Sequence, residues 1–241
     1  VNNVHRSVAI LSNLFYRDLT KKEINSLNNP IIGRDCNISD NVILENGVII
    51  GNNVTINDGA IIKHSCVIGD NSYIDSNSVI SNSVFGESVN VGRNCSIGQQ
   101  VFGFAIDTTK NIRIFHVGRV VLKAKVNIGS NCSIDRGSFS DTVIGENTYL
   151  DNLCHIAHNV EIGSNSIFAA MSGIAGSANI GNNVMAGGQT GIAGHINVGD
   201  NVRIAAKSGV FSDVKSNQSI MGNPAINMFT FLKKYKKSYG S

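Results

Sequence analysis

The sequence has no Trp, two Pro and few aromatics of any kind, 6% of 241 residues. Aromatic platforms and a broad basic stripe are both missing, which argues against a nucleic-acid-binding surface. No apolar run approaches the roughly 18 residues of a membrane span, and no secretory signal pattern opens the chain. Charged residues are sparse, at 15%, and 20 basic against 17 acidic side chains leave a net +3. None of the Cys pairs has the spacing of zinc ligands. What is there is aliphatic: hydrophobic residues recur along nearly the whole length, which excludes disorder. The length suits one or two domains with a sizeable core.

Those aliphatics keep a period of six. The series runs Ile32, Ile38, Leu44, Ile50, Ile56, Ile62, Ile68, Ile74, Ile80, drops one residue, and continues at Phe85, Val91 and Ile97. It pauses through 99–125, returns at Ile128 and Ile134, and meets a four-residue surplus. Twelve unbroken positions then run from Ile144 to Val210. The position two before each aliphatic is small or short: Cys36, Val42, Val48, Val54, Ala60 and Cys66 open that column. Gly often follows the aliphatic, with Asn or Asp close behind, a combination that tolerates the positive φ of tight turns.

A period of six fits neither an amphipathic helix nor a plain alternating strand. It fits short strands joined by turns and wound into a coil, three hexapeptides to a triangular eighteen-residue turn. Stacked coils bury a continuous aliphatic column within parallel sheets. The repeat predicts an all-β prism of eight to nine coils, roughly 40 Å tall at about 4.8 Å per coil. The hand of the coil stays open at this level. The expected organisation is 1–31 as an N-terminal segment, 32–214 as the coil with an insertion at 99–125, and 215–241 as a basic C-terminal segment.

All five Cys (Cys36, Cys66, Cys95, Cys132, Cys154) fall at the small inward position. They fit as packing residues, and a reducing compartment is the natural inference. Among the six His, two stand out through the eighteen-residue period. Ile156, Ile174 and Ile192 stack at one corner, so His158 has Gly176 above it and Gly194 above that, with His195 near the top, displaced by one residue. A strip without side chains leaves backbone N–H groups and room for a ligand. Two coils separate the histidines by on the order of 10 Å, too far to share one metal ion at ~2.1 Å per ligand.

The tail from Lys215 to Ser241 holds five Lys and no acid, so the net positive charge lives there. Ala225–Lys237 follows Pro224 and reads as a short helix. Its basic face is either simply solvated or a dock for an acidic partner. Val4–Tyr16 is an amphipathic, helix-like stretch. The insertion Gln99–Lys125, with Phe102-Gly103-Phe104, His116 and Gly118-Arg119, is too long for a turn. Long insertions in a solenoid gather on its working face.

The hexapeptides resemble those of hexapeptide-repeat acyltransferases, whose fold is a left-handed parallel β-helix. These enzymes are homotrimers with active sites between neighbouring prisms. A narrower resemblance rests on Phe102-Gly103-Phe104, Gly118-Arg119-Val120, Ile134-Asp135-Arg136-Gly137, Asp141-Thr142-Val143-Ile144-Gly145, Asp151-Asn152, Ile156-Ala157-His158-Asn159-Val160 and Gly194-His195, in that order. Together they are similar to the UDP-3-O-acylglucosamine N-acyltransferase family of lipid A biosynthesis.

That resemblance implies transfer of a 3-hydroxyacyl group from acyl carrier protein to the amine of a UDP-linked glucosamine, in the cytoplasm and without cofactor or metal. It implies His158 as general base, Gly176 as the N–H donor to the oxyanion, His195 as a substrate-binding histidine and Asp151 as a supporting acid. It implies a homotrimer in which Asp151 and His158 of different chains could meet, and a carrier-protein dock at Lys233, Lys234, Lys236 and Lys237. The family begins with a uridine-binding domain of about a hundred residues. Here only its last helix, near Val4–Tyr16, has a counterpart, and with Val1 in place of Met the expectation is a fragment.

Rival readings are the related UDP-N-acetylglucosamine O-acyltransferase, a small-molecule acetyltransferase, a zinc hydratase on the same coil, and a non-catalytic trimeric scaffold. The Phe-Gly-Phe insertion and the single short C-terminal helix argue against the O-acyl relative.

Overall fold

A computed structural model describes residues 4–106 and 110–239. The chain is a left-handed parallel β-helix with three faces. Among the described residues the first face has nine strands, from Ile31–Ile32 to Asn197–Val198. The third also has nine, from Ile43–Leu44 to Gly209–Val210, and the second has eleven. Most strands are two residues long. The repeat aliphatic of each strand points inward, so Ile56, Ile62, Ile74, Ile80, Ile134 and Ile144 are fully buried. Each coil hydrogen-bonds to the next in register, as in Tyr149↔Ile167 and Leu150↔Phe168.

The corners explain the Asn and Gly content. Asn147, Asn165, Asn183 and Asn201 occupy one corner with φ of 55–58°, a left-handed conformation that Asn adopts more readily than most residues. The Asn147 side chain donates to Asn165 Oδ1 at 2.8 Å, linking successive turns. Beside this corner Gly163 is obligatory for another reason: a Cβ there would sit 2.6 Å from the Gly181 carbonyl carbon. The inward thiols Cys66, Cys95, Cys132 and Cys154 are buried and free, and burial pushes the Cys66 thiol up to about 11.

The structure departs from the periodicity in three places. The insertion is shorter than the lapse in the repeat, because Val120–Leu122 pairs with Ser83–Phe85 below and Thr142–Ile144 above. Leu122 is therefore a buried repeat position inside 99–125. Its neighbours Arg119, Lys123 and Lys125 carry none of the usual turn glycines, which hid it. The second departure is the C-terminal helix. It begins at Met228, not Ala225, because Ile226–Asn227 first pairs antiparallel with Ser219–Met221. Asn227 Oδ1 then caps the helix by accepting from Phe229 N at 3.1 Å. The third is a short helix at Lys21–Asn25, set by a Thr20/Glu23 capping box.

We number the helices α1 (Val4–Phe15), α2 (Lys21–Asn25) and α3 (Met228–Tyr239). The insertion folds into a small antiparallel hairpin, Phe104–Ala105 with Ile112–Arg113, and α1 packs on it. Buried Ser12 of α1 accepts from Phe115 N at 3.0 Å, tying helix to insertion. No described helix is long and apolar enough to cross a membrane.

Phe168 is fully buried in the column between Leu150 and Ala186. Phe168→Ala should destabilise the chain by about 3–5 kcal/mol, read as a lowered urea midpoint. A loss below about 1 kcal/mol would mean that the coils close over the void.

Candidate active site

The corner after the strand His155–Ile156 carries the two chemically suggestive positions. Ile156 turns into the core, and Ala157-His158-Asn159 makes the turn. Asn159 holds the left-handed turn position at φ 58°. Its Nδ2 donates to Ser140 O at 3.1 Å and to Ser140 Oγ at 2.7 Å. Its Oδ1 accepts from Ser138 N at 3.0 Å and lies 3.0 Å from His158 Nδ1. With the amide oriented by those bonds, Oδ1 can only accept, so His158 carries its proton on Nδ1. That leaves Nε2 unprotonated, with a lone pair free to act as a base.

The period places Gly176 beside this ring. A Cβ on Gly176 would lie 2.7 Å from both Cε1 and Nε2 of His158. The ring therefore rests against bare backbone. The Gly176 carbonyl accepts from His195 N at 3.1 Å. Among the described residues nothing accepts from the Gly176 N–H, which remains a free donor close to the His158 ring.

Both groups line a cavity of about 720 Å³ on the third face. Its floor is the outward column His155, Gly173, Gly191 and Gly209, in register from coil to coil. A Cβ on Gly173 or Gly191 would meet nothing within 4 Å, so the middle of this floor is open, while Phe211 and Asn223 close it at Gly209. Phe102 from the insertion and Phe211 from the upper coil contribute aromatic walls. Asp135 lines the cavity beneath His155, its Oδ2 at 3.7 Å from His155 Nε2. Burial raises the Asp135 carboxyl above its ordinary range, against the opposing pull of His155 and His158.

A second imidazole completes the corner. His116, from the end of the insertion, packs edge-to-face on His158 with centroids 5.5 Å apart and planes at 64°. It is 98% buried. Burial, with His158, Arg136 and Arg113 nearby, pushes it down to about 4, so it is neutral at pH 7.

The remaining residues singled out from the sequence lie elsewhere on the single chain. Asp151 is exposed at a different corner, where it accepts from Asn152 N at 2.7 Å and Ala170 N at 3.1 Å. His195 is exposed and stacks above Ser177 and Asn159 at the left-handed turn position, φ 59°. Neither lines the His158 cavity. Lys233, Lys234, Lys236 and Lys237 are exposed on α3. Among the described residues no group of three His, Cys, Asp or Glu is arranged to hold a metal ion. Sequence reasoning assigned no role to His116, Ser138, Asn159 or Asp135. Of these, Asp135 and Asn159 lay in the motifs that carried the resemblance and His116 in the insertion, while Ser138 carried no signal.

Two outcomes follow from this geometry. Gly176→Ala should displace the His158 ring, seen as a change in its imidazole resonances, whereas Gly173→Ala should leave them unchanged. In acid, the unfolded chain takes up a proton on residue 116 near 6.5 but the folded chain only near 4. The unfolded state therefore binds more protons in that window, and stability falls as pH drops from about 6.5 to about 4. A His116→Gln variant should lack this part of the slope in urea titrations run at stepped pH.

The family model GMPPB C-terminal domain matches residues 26–125. Bacterial transferase hexapeptide (six repeats) matches 141–176. A UDP-3-O-acylglucosamine N-acyltransferase of Caulobacter vibrioides is 39% identical over 83 residues, 34% of this chain and 24% of that protein. One from Methylorubrum extorquens is 40% identical over the same shares. The chain thus spans about a quarter of the length of these curated relatives in the matched region. The solved UDP-N-acetylglucosamine acyltransferase of Campylobacter jejuni has a TM-score of 0.71 at 24% identity, over 84% of this chain and 78% of that one, a likeness of fold. The chain is a hexapeptide-repeat left-handed β-helix protein that is similar, over that 83-residue stretch, to UDP-3-O-acylglucosamine N-acyltransferases.

Proposed function

We propose that the chain is the β-helix of an N-acyltransferase of lipid A biosynthesis. It would move a 3-hydroxyacyl group from acyl carrier protein to the glucosamine amine of UDP-3-O-acyl-glucosamine. The observation that carries this reading is the pairing of a free His158 Nε2 with a free Gly176 N–H, side by side at a cavity with an open floor. Acyl transfer needs those two groups together.

The amine nitrogen attacks the thioester carbonyl carbon, and a C–N bond forms. His158 Nε2 takes the proton the nitrogen sheds, a contribution of about 10²–10⁴ in rate. The carbonyl oxygen becomes an oxyanion and accepts from the Gly176 N–H, worth on the order of 10²–10³. Collapse breaks the C–S bond, and the proton on Nε2 passes to the departing thiolate. The amide and a free carrier thiol are the products. Phe102, Phe211 and the glycine floor suit an aliphatic acyl chain.

In this reading the chain works as a homotrimer in the cytoplasm. Asp151, remote from His158 within one chain, would meet a neighbouring chain's His158, and His195, above Asn159 at the same corner, would help to hold the substrate. Lys233, Lys234, Lys236 and Lys237 would receive the acidic carrier protein.

The test is incubation of the chain with 3-hydroxyacyl carrier protein and the UDP-3-O-acyl-glucosamine amine, with products followed by mass spectrometry. Amide should form, and His158→Ala should lower its rate by about 10²–10⁴. Acylation of the 3-hydroxyl of UDP-N-acetylglucosamine instead would transfer the reading to the O-acyl relative. Product from neither acceptor, with trimers intact, would leave a scaffold. Replacing the four α3 lysines by Glu should raise KM for the carrier protein about tenfold or more and leave KM for the sugar within about twofold. An unchanged carrier KM would remove the dock from α3.

A further inference from the structure

Near the end of the insertion, His116 is buried, polar and absent from the chemistry above. Its surroundings are specific. Gln100 clamps its backbone from both sides: Oε1 accepts from His116 N at 3.2 Å and Nε2 donates to His116 O at 3.2 Å. Ser138 Oγ lies 2.9 Å from His116 Nδ1, and Ser138 O accepts from Val117 N and Gly118 N. The same Ser138 donates its backbone N–H to Asn159 Oδ1, which holds His158 Nδ1. His116 and His158 are thus joined twice, by ring contact and through Ser138 and Asn159.

Nε2 of His116 has no hydrogen-bond partner. It faces the α-carbon of Gly103, where a Cβ would approach it to 2.4 Å. A proton on that nitrogen would be a buried donor with no acceptor, so the proton belongs on Nδ1, donated to Ser138 Oγ. The groups whose positive charge bears on the ring are Arg136 from the 135–141 loop, Arg113 from the hairpin and, when it is protonated, His158 itself. All three disfavour a second positive charge. Asp135 and His155 face His158 from the coil below and its own strand.

We propose that His116 is a positioning residue for His158: a neutral imidazole strut, gripped by Gln100 and Ser138, that sets the ring orientation from which Nε2 meets the acceptor amine. Gly103 is glycine because the strut occupies the space its side chain would fill. The role of α1 follows, since Ser12 anchors Phe115 beside the strut. This inference rests on the acyl-transfer reading for its kinetic consequences, but the ring geometry is measurable without turnover.

The experiment compares wild type with His116→Ala, Ser138→Ala and Gly103→Ala, all with intact melting transitions. Selectively labelled histidine reports the His158 imidazole shifts and their pH titration. Steady-state assays report kcat and KM across pH. His116→Ala should lower kcat about 10- to 100-fold with both KM values within about threefold. It should also move the His158 titration and the acid limb of kcat together. Ser138→Ala should give a smaller shift in the same direction, and Gly103→Ala should imitate His116→Ala by pushing the ring. If His116→Ala does not fold, the other two variants decide. His158 resonances and kcat unchanged in the variants would overturn the proposal. An inactive wild type whose His158 resonances still move in the variants would sink the acyl-transfer reading while keeping the strut.

Discussion

Everything in this molecule depends on one constraint: each coil must hydrogen-bond to the next in register. A parallel ladder leaves no freedom to slide, because a one-residue slip would turn every inward aliphatic out to solvent. Residues eighteen apart are therefore stacked neighbours, and the chain can be read as three faces and three corners, each a column of one residue per coil. The inner columns hold Ile, Val and small thiols or hydroxyls. One corner column holds Asn147, Asn165, Asn183 and Asn201 at φ of 55–58°, while another carries Leu153, Met171, Gln189 and Lys207 in the same left-handed region. Where backbones of successive coils approach closest, as at Gly163 and Gly181, glycine is the residue that fits.

A perfect prism has flat faces and no chemistry. The site exists because two loops leave the coil and return to it in register. The stretch between Gln99 and Val120 leaves the third face and returns to the first, bringing Phe102, Gly103 and His116. The surplus residues after Asp135 make a second loop that brings Arg136 and Ser138. Arg136 Nε donates to Gly118 O at 2.7 Å, and Arg119 pairs with Asp141 at 2.8 Å, so the two loops are fastened to each other. Both converge on the corner one coil above, at His158. The glycine column above that corner needs no loop at all; it is the prism with its side chains left off.

The electrostatics of the corner follow from burial more than from charge pairs. His116 is kept neutral by a buried position among cations. Asp135 is raised by the same burial, with His155 and His158 opposing it. His158 sits at the boundary, half-buried, with one nitrogen committed to Asn159 and the other free. An acid–base group needs that combination: a fixed tautomer on one side and access on the other.

How much of this was legible in the sequence depended on whether a residue lay inside the period. The coil, its aliphatic core, the inward thiols and the placing of Gly176 against His158 all follow from counting by six and eighteen, because local turns and in-register stacking convert sequence separation directly into distance. Leu122 escaped because the period resumes there without turn glycines, and the α3 start escaped because a strand pairing competed with helix propensity over Ala225–Asn227. The meeting of His116 with His158, the tying of both rings through Ser138 and Asn159, and the reason for Gly103 were decided by tertiary structure alone. Those contacts join segments outside the period, where separation along the chain carries no metric. Their positions are set by Ser12 of α1 holding Phe115, Gln100 holding His116 and Arg136 holding Gly118, and no single stretch of sequence contains that information.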